Sequence, residues 1–106
     1  MRTIQELENE RLQWSLKNFP DATPFSSLQK LKGEIAEVEE ALDADERDEL
    51  ELLEEYADCL MCLFDSAGRV GMTPDDIFKA FEKKLLKNKG RVWIKNPDNT
   101  YSHVKK

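Results

Sequence analysis

Histidine, cysteine, glycine and proline are scarce in this 106-residue sequence, which has one histidine, two cysteines, four glycines and four prolines. Since the single histidine, His103, stands near the end of the chain, the sequence offers neither the ExxH pairs of a di-iron bundle nor a histidine-activated nucleophile. Cysteine occurs only in Cys59-Leu60-Met61-Cys62, without the second pair of a zinc site or the βαβ context of a redox site. We therefore expect two reduced thiols within a helix.

Long apolar runs are also missing, because no segment approaches the roughly 20 apolar residues of a membrane-spanning helix. The N-terminus is polar and acidic, unlike the basic and then apolar start of a signal peptide. We therefore expect a cytoplasmic protein that has no membrane partner.

Charge is abundant but unevenly distributed, with a net charge of −6. Residues 34–58 hold thirteen acids and one base, whereas the rest of the chain holds nine acids and fifteen bases. The overall acidic balance argues against a nucleic acid polymer as the partner, because binding to its phosphates needs a basic surface. The uneven distribution instead suits a cation-binding centre beside a phosphate-binding segment.

The composition and periodicity predict one all-α domain over residues 1–106, with 36% charged and 40% hydrophobic residues. Apolar residues at steps of three and four predict helices over residues 3–18, 26–42 and 47–69, and a fourth that begins at Pro74 and ends before Gly90. We expect Ser26 to cap the second helix, with Gln29 in a capping box, and Thr73 to cap the fourth. The fold is thus a bundle of about four helices with its core in residues 3–93, and residues 94–106 form an extended tail or hairpin.

Each of the four predicted helices has a core stripe. Their members are Ile4, Leu7, Arg11, Trp14 and Leu16, then Leu28, Leu31, Ile35, Val38 and Leu42, then Leu50, Leu53, Ala57, Leu60, Phe64 and Ala67, and finally Ile77, Phe81 and Leu85. Other apolar residues fall outside these stripes, namely Leu52, Met61, Leu63, Phe78 and Leu86. Since they also need cover, we expect a homodimer or homotetramer.

Two carboxylate pairs, Glu34-Ile35-Ala36-Glu37 and Glu55-Tyr56-Ala57-Asp58, stand at i and i+3, which are neighbours on one helix face. The seventeen residues between the pairs leave room for a turn, so antiparallel helices would bring four carboxylates together. Such a cluster repels itself unless a hard divalent cation binds, and we expect Mg²⁺, with Mn²⁺ as a substitute. The alternative is an ordinary solvated acidic face. Glu54 is a further candidate, as an acid that positions water.

An EF-hand is excluded at residues 43–54 because Arg47 occupies a ligand position and Asp48 replaces the turn glycine.

The spacing ExxE, gap, ExxD resembles the all-α nucleoside triphosphate pyrophosphatases of the MazG-like superfamily. The flanking segments, Trp14 with Phe19-Pro20-Asp21-Ala22-Thr23-Pro24 and Lys84, Asn88 and Arg91-Val92-Trp93, are similar to its phage-type dATP/dGTP diphosphohydrolase branch. The resemblance covers about residues 8–93. It departs from many relatives at Gly33, where they carry a further acid.

The resemblance implies an enzyme that cleaves nucleoside triphosphates between the α- and β-phosphates, with dATP and dGTP preferred, in a bacterial or phage-infected cell. It implies that Glu34, Glu37, Glu55 and Asp58 hold two or more Mg²⁺ ions that activate water. Lys84, Asn88 and Arg91 would bind the phosphates, although a basic face that merely balances the acids is the alternative. Trp14 and Trp93 either stack on the base or pack in the core.

The rival hypothesis is a non-catalytic acidic helical module that binds a protein partner or buffers cations. In that case each acid would be dispensable by itself.

Overall fold

The computed structural model describes residues 1–105 and confirms the predicted four helices and C-terminal hairpin. The helices are α1 (Ile4–Asn18), α2 (Pro24–Asp43), α3 (Glu49–Arg69) and α4 (Pro74–Lys89), and the strands are β1 (Trp93–Lys95) and β2 (Tyr101–His103). The chain forms two compact units, residues 1–74 and the residues from 75 onward. No helix in the described part of the chain is long and apolar enough to cross a membrane.

Side-chain caps fix the starts of α1, α2 and α3. The cap of α2 differs from the predicted one. Thr23, not Ser26, caps α2: the Thr23 hydroxyl accepts from the Ser26 amide at 3.0 Å, and the Ser26 hydroxyl accepts from the Thr23 amide at 2.8 Å. Pro24 then takes the first helical position, where its fixed φ and missing N–H do no harm. The expected capping box of Ser26 with Gln29 is therefore wrong. Asp48 caps α3, so that helix begins at Glu49 rather than at residue 47.

Helices α2 and α3 pack against each other as an antiparallel pair. Ser27 on α2 bonds to Asp65 on α3 across 38 residues, while Glu34, two turns further along α2, lies beside Asp58, two turns back along α3. Because positions advance along one helix as they recede along the other, the two helices run in opposite directions. The connection through residues 44–48 is short enough to force this reversal.

The apolar core of the first unit is small. Within residues 1–74, the buried apolar side chains longer than alanine, apart from Pro74, are Val38, Leu52 and Phe64. Leu50 and Leu53 were expected to point inward but are 75% and 65% exposed, so that prediction is wrong. The neighbouring Leu52 is buried instead of Leu50 and Leu53, with 8% of its surface exposed. Most other residues of the predicted stripes are exposed or half-buried in the single chain.

A buried carboxylate, Asp65, joins the three helices of this unit. Its Oδ1 accepts from Arg11 Nη1 at 3.0 Å and Ser15 Oγ at 2.8 Å, both on α1. Its Oδ2 accepts from Ser27 Oγ on α2 at 2.6 Å and from Arg69 Nε on α3 at 2.8 Å. Burial by itself would raise the pKa of Asp65, but these four hydrogen bonds outweigh it and hold the pKa well below its ordinary value.

Arg11 and Arg69 connect this network to further groups. Arg11, expected in an apolar stripe, instead forms a two-point ion pair with the buried Glu8. Arg69 donates to the backbone carbonyls of Phe19 at 3.2 Å and Ala22 at 2.9 Å and so fixes the loop between α1 and α2. No buried side-chain polar atom in residues 1–105 lacks a hydrogen-bond partner. A satisfied polar network therefore supplies much of the order that the small apolar core cannot.

The second unit ends in a two-stranded antiparallel hairpin. Trp93 pairs with His103, Ile94 with Ser102 and Lys95 with Tyr101. The turn closes through Asn99, whose φ of 70° lies in the left-handed region that asparagine tolerates. Of the two forms expected for the C-terminal segment, tail or hairpin, the structure therefore shows the hairpin.

Replacing Asp65 by asparagine should destabilise the fold, because two partly buried guanidinium groups, those of Arg11 and Arg69, would lose their shared anion. We expect a loss of at least about 3 kcal/mol in the free energy of unfolding, measured by urea denaturation at pH 7. Asp43→Asn, at an exposed end of α2, is the control and should change little.

The pH dependence of the free energy of unfolding tests the same network in a second way. The folded protein depresses the pKa of Asp65, so this stability is present above about pH 4, the ordinary aspartate value, and is lost as the pH falls below it. The Asp65→Asn variant should therefore have a flatter acid limb than wild type. Parallel acid limbs would contradict the network.

Candidate metal centre and adjoining cavity

Three of the four predicted carboxylates meet between α2 and α3. Glu34, Glu55 and Asp58 each offer one oxygen, and these oxygens lie within 4.8 Å of one another. Glu34 and Glu55 are half-buried and Asp58 is exposed. The antiparallel register of the helix pair brings these three acids together.

Glu37, the fourth predicted acid, lies one turn beyond Glu34 and is exposed. It is not part of the three-oxygen group, although its negative charge is near enough to act on Glu55. Glu54 is exposed and also lies outside the group.

The cluster is electrostatically unfavourable without a cation. Partial burial, followed by repulsion from Glu37, Asp58 and Glu34, raises the pKa of Glu55 above its ordinary value. All three ligand atoms are carboxylate oxygens, which are the donors that Mg²⁺, Mn²⁺ and Ca²⁺ prefer. The donor set therefore fits a hard divalent cation.

One lysine reaches this cluster from within the same helix. Lys30 Nζ lies 3.2 Å from Glu34 Oε1, an i,i+4 ion pair whose lysine side chain is 71% exposed. The hydrogen bond and charge of Glu34 raise the pKa of Lys30, and Asp58 adds a smaller attraction. Lys30 therefore places a positive charge beside the carboxylates.

A cavity of about 370 Å³ adjoins the cluster through Lys30. Its walls come from α1, the following loop, α2 and α3, and its largely apolar lining includes Trp14, Phe19, Ser26, Met61 and Cys62. The rings of Trp14 and Phe19 meet edge to face with centroids 5.2 Å apart. Asp65, Arg11 and Arg69 hold the parts of the chain that shape it. A cavity of this size with aromatic walls suits a flat ring.

The other predicted binding residues lie together at the end of α4, in the second unit. Arg91 Nη1 donates to Asn88 Oδ1 at 3.0 Å, and Trp93 Nε1 donates to the Asn88 backbone carbonyl at 2.9 Å. Lys84 lies one turn before Asn88, and both line a shallow groove with Ile77 and Phe81. Trp93 also contacts His103 edge to face at 5.9 Å. Asn88 is thus positioned to hold Arg91 and Trp93.

The buried network of Asp65, Arg11 and Arg69 was not predicted. Two signals were available in the sequence: Asp65 and Arg69 stand at i and i+4 with opposite charge, and Arg11 interrupts an apolar stripe. Gly33 shows no close neighbour, because a Cβ there would meet nothing within 4 Å.

The fold and the carboxylate cluster define a helical protein similar to the MazG-like pyrophosphohydrolases. One solved structure, the cyanophage S-2L MazG-like pyrophosphohydrolase bound to dGDP and three catalytic Mn²⁺ ions per active site, matches with a TM-score of 0.76 and 30% identity. The match covers 99% of this chain and all of that one.

Sequence comparison specifies the family further. A protein of Salmonella phage PMBT28, named dATP/dGTP diphosphohydrolase, is 35% identical over 104 residues, which are 96% of this chain but only 32% of the phage protein. The model of the dATP/dGTP pyrophosphohydrolase family matches residues 7–106. The chain belongs to the dATP/dGTP pyrophosphohydrolase family.

Replacing Glu55 by glutamine should stabilise the metal-free protein and weaken its binding of Mn²⁺. A raised pKa in the folded state means that the repulsion is absent below about pH 4 and grows as the pH rises through the titration of Glu55. In EDTA, the midpoint of thermal unfolding of the variant should therefore exceed that of wild type at pH 7 but not at pH 4.

In a Mn²⁺ titration, the Glu55→Gln variant should bind the ion more weakly than wild type, because it lacks one carboxylate. Glu49→Gln, at an exposed acid in the first turn of the same helix, is the control for both measurements. A variant that is less stable than wild type at pH 7 in EDTA would show that the carboxylates do not repel.

Proposed function

We propose that this chain is a divalent-metal-dependent pyrophosphohydrolase of dATP and dGTP. It cleaves between the α- and β-phosphates and releases a nucleoside monophosphate and pyrophosphate. The observation that carries this proposal is the three-oxygen carboxylate cluster beside an aromatic-walled cavity, in a chain of this family.

Glu34, Glu55 and Asp58, together with Glu37, are the residues that would hold the metal. Mg²⁺ is the expected ion, and the Mn²⁺ in the cyanophage structure supports a divalent cation of this type. Such a cation lowers the pKa of water and neutralises charge on the leaving pyrophosphate. The chain's part is to fix the oxygen ligands on two rigid helices and to leave one carboxylate to accept the proton of the attacking water.

The reaction itself requires no covalent intermediate with the protein. The oxygen of water bonds to the α-phosphorus, and the bond from that phosphorus to the bridging oxygen breaks. Pyrophosphate leaves with the bonding electron pair. One of the four carboxylates receives the proton of the water.

The cavity between α1, α2 and α3 is the site that we assign to the base. Trp14 and Phe19 provide faces and edges for stacking, and 57% of Trp14 is exposed in the single chain. The dGDP in the cyanophage structure and the name of the Salmonella phage relative support a purine deoxynucleotide. Trp93, on the hairpin, is a second candidate for stacking.

Lys84 and Arg91 are assigned to the β- and γ-phosphates, where they would stabilise the charge that develops on the leaving group. Asn88 acts through Arg91, because its side-chain oxygen already accepts from that guanidinium. The arrangement orients the planar fork of Arg91, which suits a phosphate.

A homo-oligomer, either a dimer or a tetramer, is part of the proposal. A groove of about 710 Å³ between α1 and α3 leaves Leu7, Trp14, Leu60 and Met61 largely uncovered. An apolar groove of this kind is rarely left exposed on a soluble monomer. Since nucleoside triphosphates are made and used in the cytoplasm, we also place the protein in the cytoplasm of a bacterial or phage-infected cell.

Activity is tested by pyrophosphate release from the eight common nucleoside triphosphates, with Mg²⁺ or Mn²⁺ and with EDTA. We expect metal-dependent release from dATP and dGTP. Glu37→Gln and Asp58→Asn should each lower kcat more than about 100-fold, because several kcal/mol of charge stabilisation is lost at 1.36 kcal/mol per tenfold.

The matched controls are Glu39→Gln on α2 and Glu49→Gln on α3, both at exposed acids on the same two helices. They should retain near-wild-type rates. If Glu37→Gln and Asp58→Asn turned over like the controls, the acidic helices would serve only as a protein-binding or cation-buffering module.

The phosphate assignment is tested by variants at the end of α4. Arg91→Lys should lower kcat/KM for dATP and dGTP by about tenfold or more, since a charge-assisted hydrogen bond contributes about 1.5–3 kcal/mol. Asn88→Ala should give a smaller decrease, because it frees Arg91 but keeps the backbone acceptor of Trp93. Lys89→Ala is the control, and an equal effect there would contradict a specific contact.

A further inference from the structure

Lys30 occupies the boundary between the carboxylate cluster and the aromatic-walled cavity. It lies one turn before Glu34 on α2, with Nζ 3.2 Å from Glu34 Oε1, and its side chain also lines the 370 Å³ cavity with Trp14 and Ser26. A ligand with its ring in the cavity and an anionic group at the carboxylates would pass this ammonium group. Its position is therefore shared by both halves of the proposed site.

The other cations around the cavity are already committed to the protein. Arg11 lines the cavity, but its guanidinium is bonded to Glu8 and Asp65. Arg69 is bonded to Asp65 and to the loop carbonyls of Phe19 and Ala22. Lys30, in contrast, has three N–H donors, of which the Glu34 ion pair occupies one. Among these three, it is the cation least held by the protein, since its side chain is 71% exposed, against 14% for Arg11 and 6% for Arg69.

Metal binding weakens the attraction between this lysine and the carboxylates. Without a cation, the negative charges of Glu34 and Asp58 attract Lys30. Divalent cations at these carboxylates would neutralise that charge and compete for the Glu34 oxygens. The side chain is 71% exposed on a flexible four-carbon stem, so it can move without disturbing the helix.

We infer that Lys30 exchanges partners when substrate binds: it leaves the Glu34 carboxylate and donates to a non-bridging phosphate oxygen of the nucleotide. This inference rests on the proposed function and adds a substrate-binding residue to it. Lys30 competes with the cation for Glu34 in the absence of nucleotide, whereas it strengthens nucleotide binding once the cation is present. Removing it should therefore change the two affinities in opposite directions.

The variant Lys30→Met keeps the length of the stem and removes the charge. An exposed i,i+4 ion pair contributes little to stability, so this variant should fold like wild type, as circular dichroism and thermal unfolding can check. Lys32→Met is the matched control, since Lys32 is an exposed lysine two residues further along the same helix and neither lines the cavity nor pairs with Glu34. Lys30→Arg is the conservative variant.

Mn²⁺ binding is measured first, on nucleotide-free protein, from the electron paramagnetic resonance signal of the free ion. Lys30→Met should bind Mn²⁺ about two- to fivefold more tightly than wild type, as expected for loss of an exposed competing ion pair. Next, dGDP is titrated calorimetrically in saturating Mn²⁺. Lys30→Met should bind dGDP about tenfold more weakly, Lys30→Arg should restore most of the affinity, and Lys32→Met should match wild type in both titrations.

The outcomes separate this inference from the proposed function. Weaker Mn²⁺ binding by Lys30→Met, or unchanged dGDP binding, would overturn the exchange of partners. Equal effects of Lys30→Met and Lys32→Met would also overturn it, since that result indicates general attraction by surface charge. Neither titration requires turnover, so a wild-type protein that released no pyrophosphate would refute the proposed function and leave the Lys30 result to be judged by itself.

Discussion

The hydrogen-bonded carboxylate of Asp65 is the interaction on which the first three helices depend. It accepts from α1 through Arg11 and Ser15, from α2 through Ser27 and from α3 through Arg69. Such a network stabilises a fold only when every member is satisfied, because an unpartnered buried charge costs several kcal/mol. Here the satisfied network compensates for a small apolar core and also fixes the loop that carries one wall of the cavity.

Helix α3 carries two carboxylate environments of opposite character. Near its C-terminal end, Asp65 is surrounded by donors and favours the charged form. Nearer its N-terminal end, Glu55 faces other carboxylates and resists the charged form. The first environment gives the rigidity that the second requires, since repelling ligands keep their positions only on a fixed backbone. In the function that we propose, this site would bind a cation at the expense of some stability without one.

The exposed apolar surface of α1 and α3 adjoins the cavity that we assign to the base. Trp14 lines both the cavity beside the carboxylates and the open groove between α1 and α3. A partner seated in that groove would also contact a wall of the cavity that we assign to the base. Oligomerisation and substrate binding would then depend on some of the same side chains, and changes at one would affect the other.

The sequence by itself determined the four helices and the pairing of two acidic motifs, because periodicity, capping residues and i,i+3 spacing are local properties. For the C-terminal segment it left a tail and a hairpin open. Tertiary structure decided the rest. Only the packing of α2 on α3 selected Leu52 over Leu50 and Leu53 for burial, and left Glu37 outside the three-oxygen group. The meeting of three helices at Asp65 joins residues up to 54 positions apart, and no local pattern encodes such a contact.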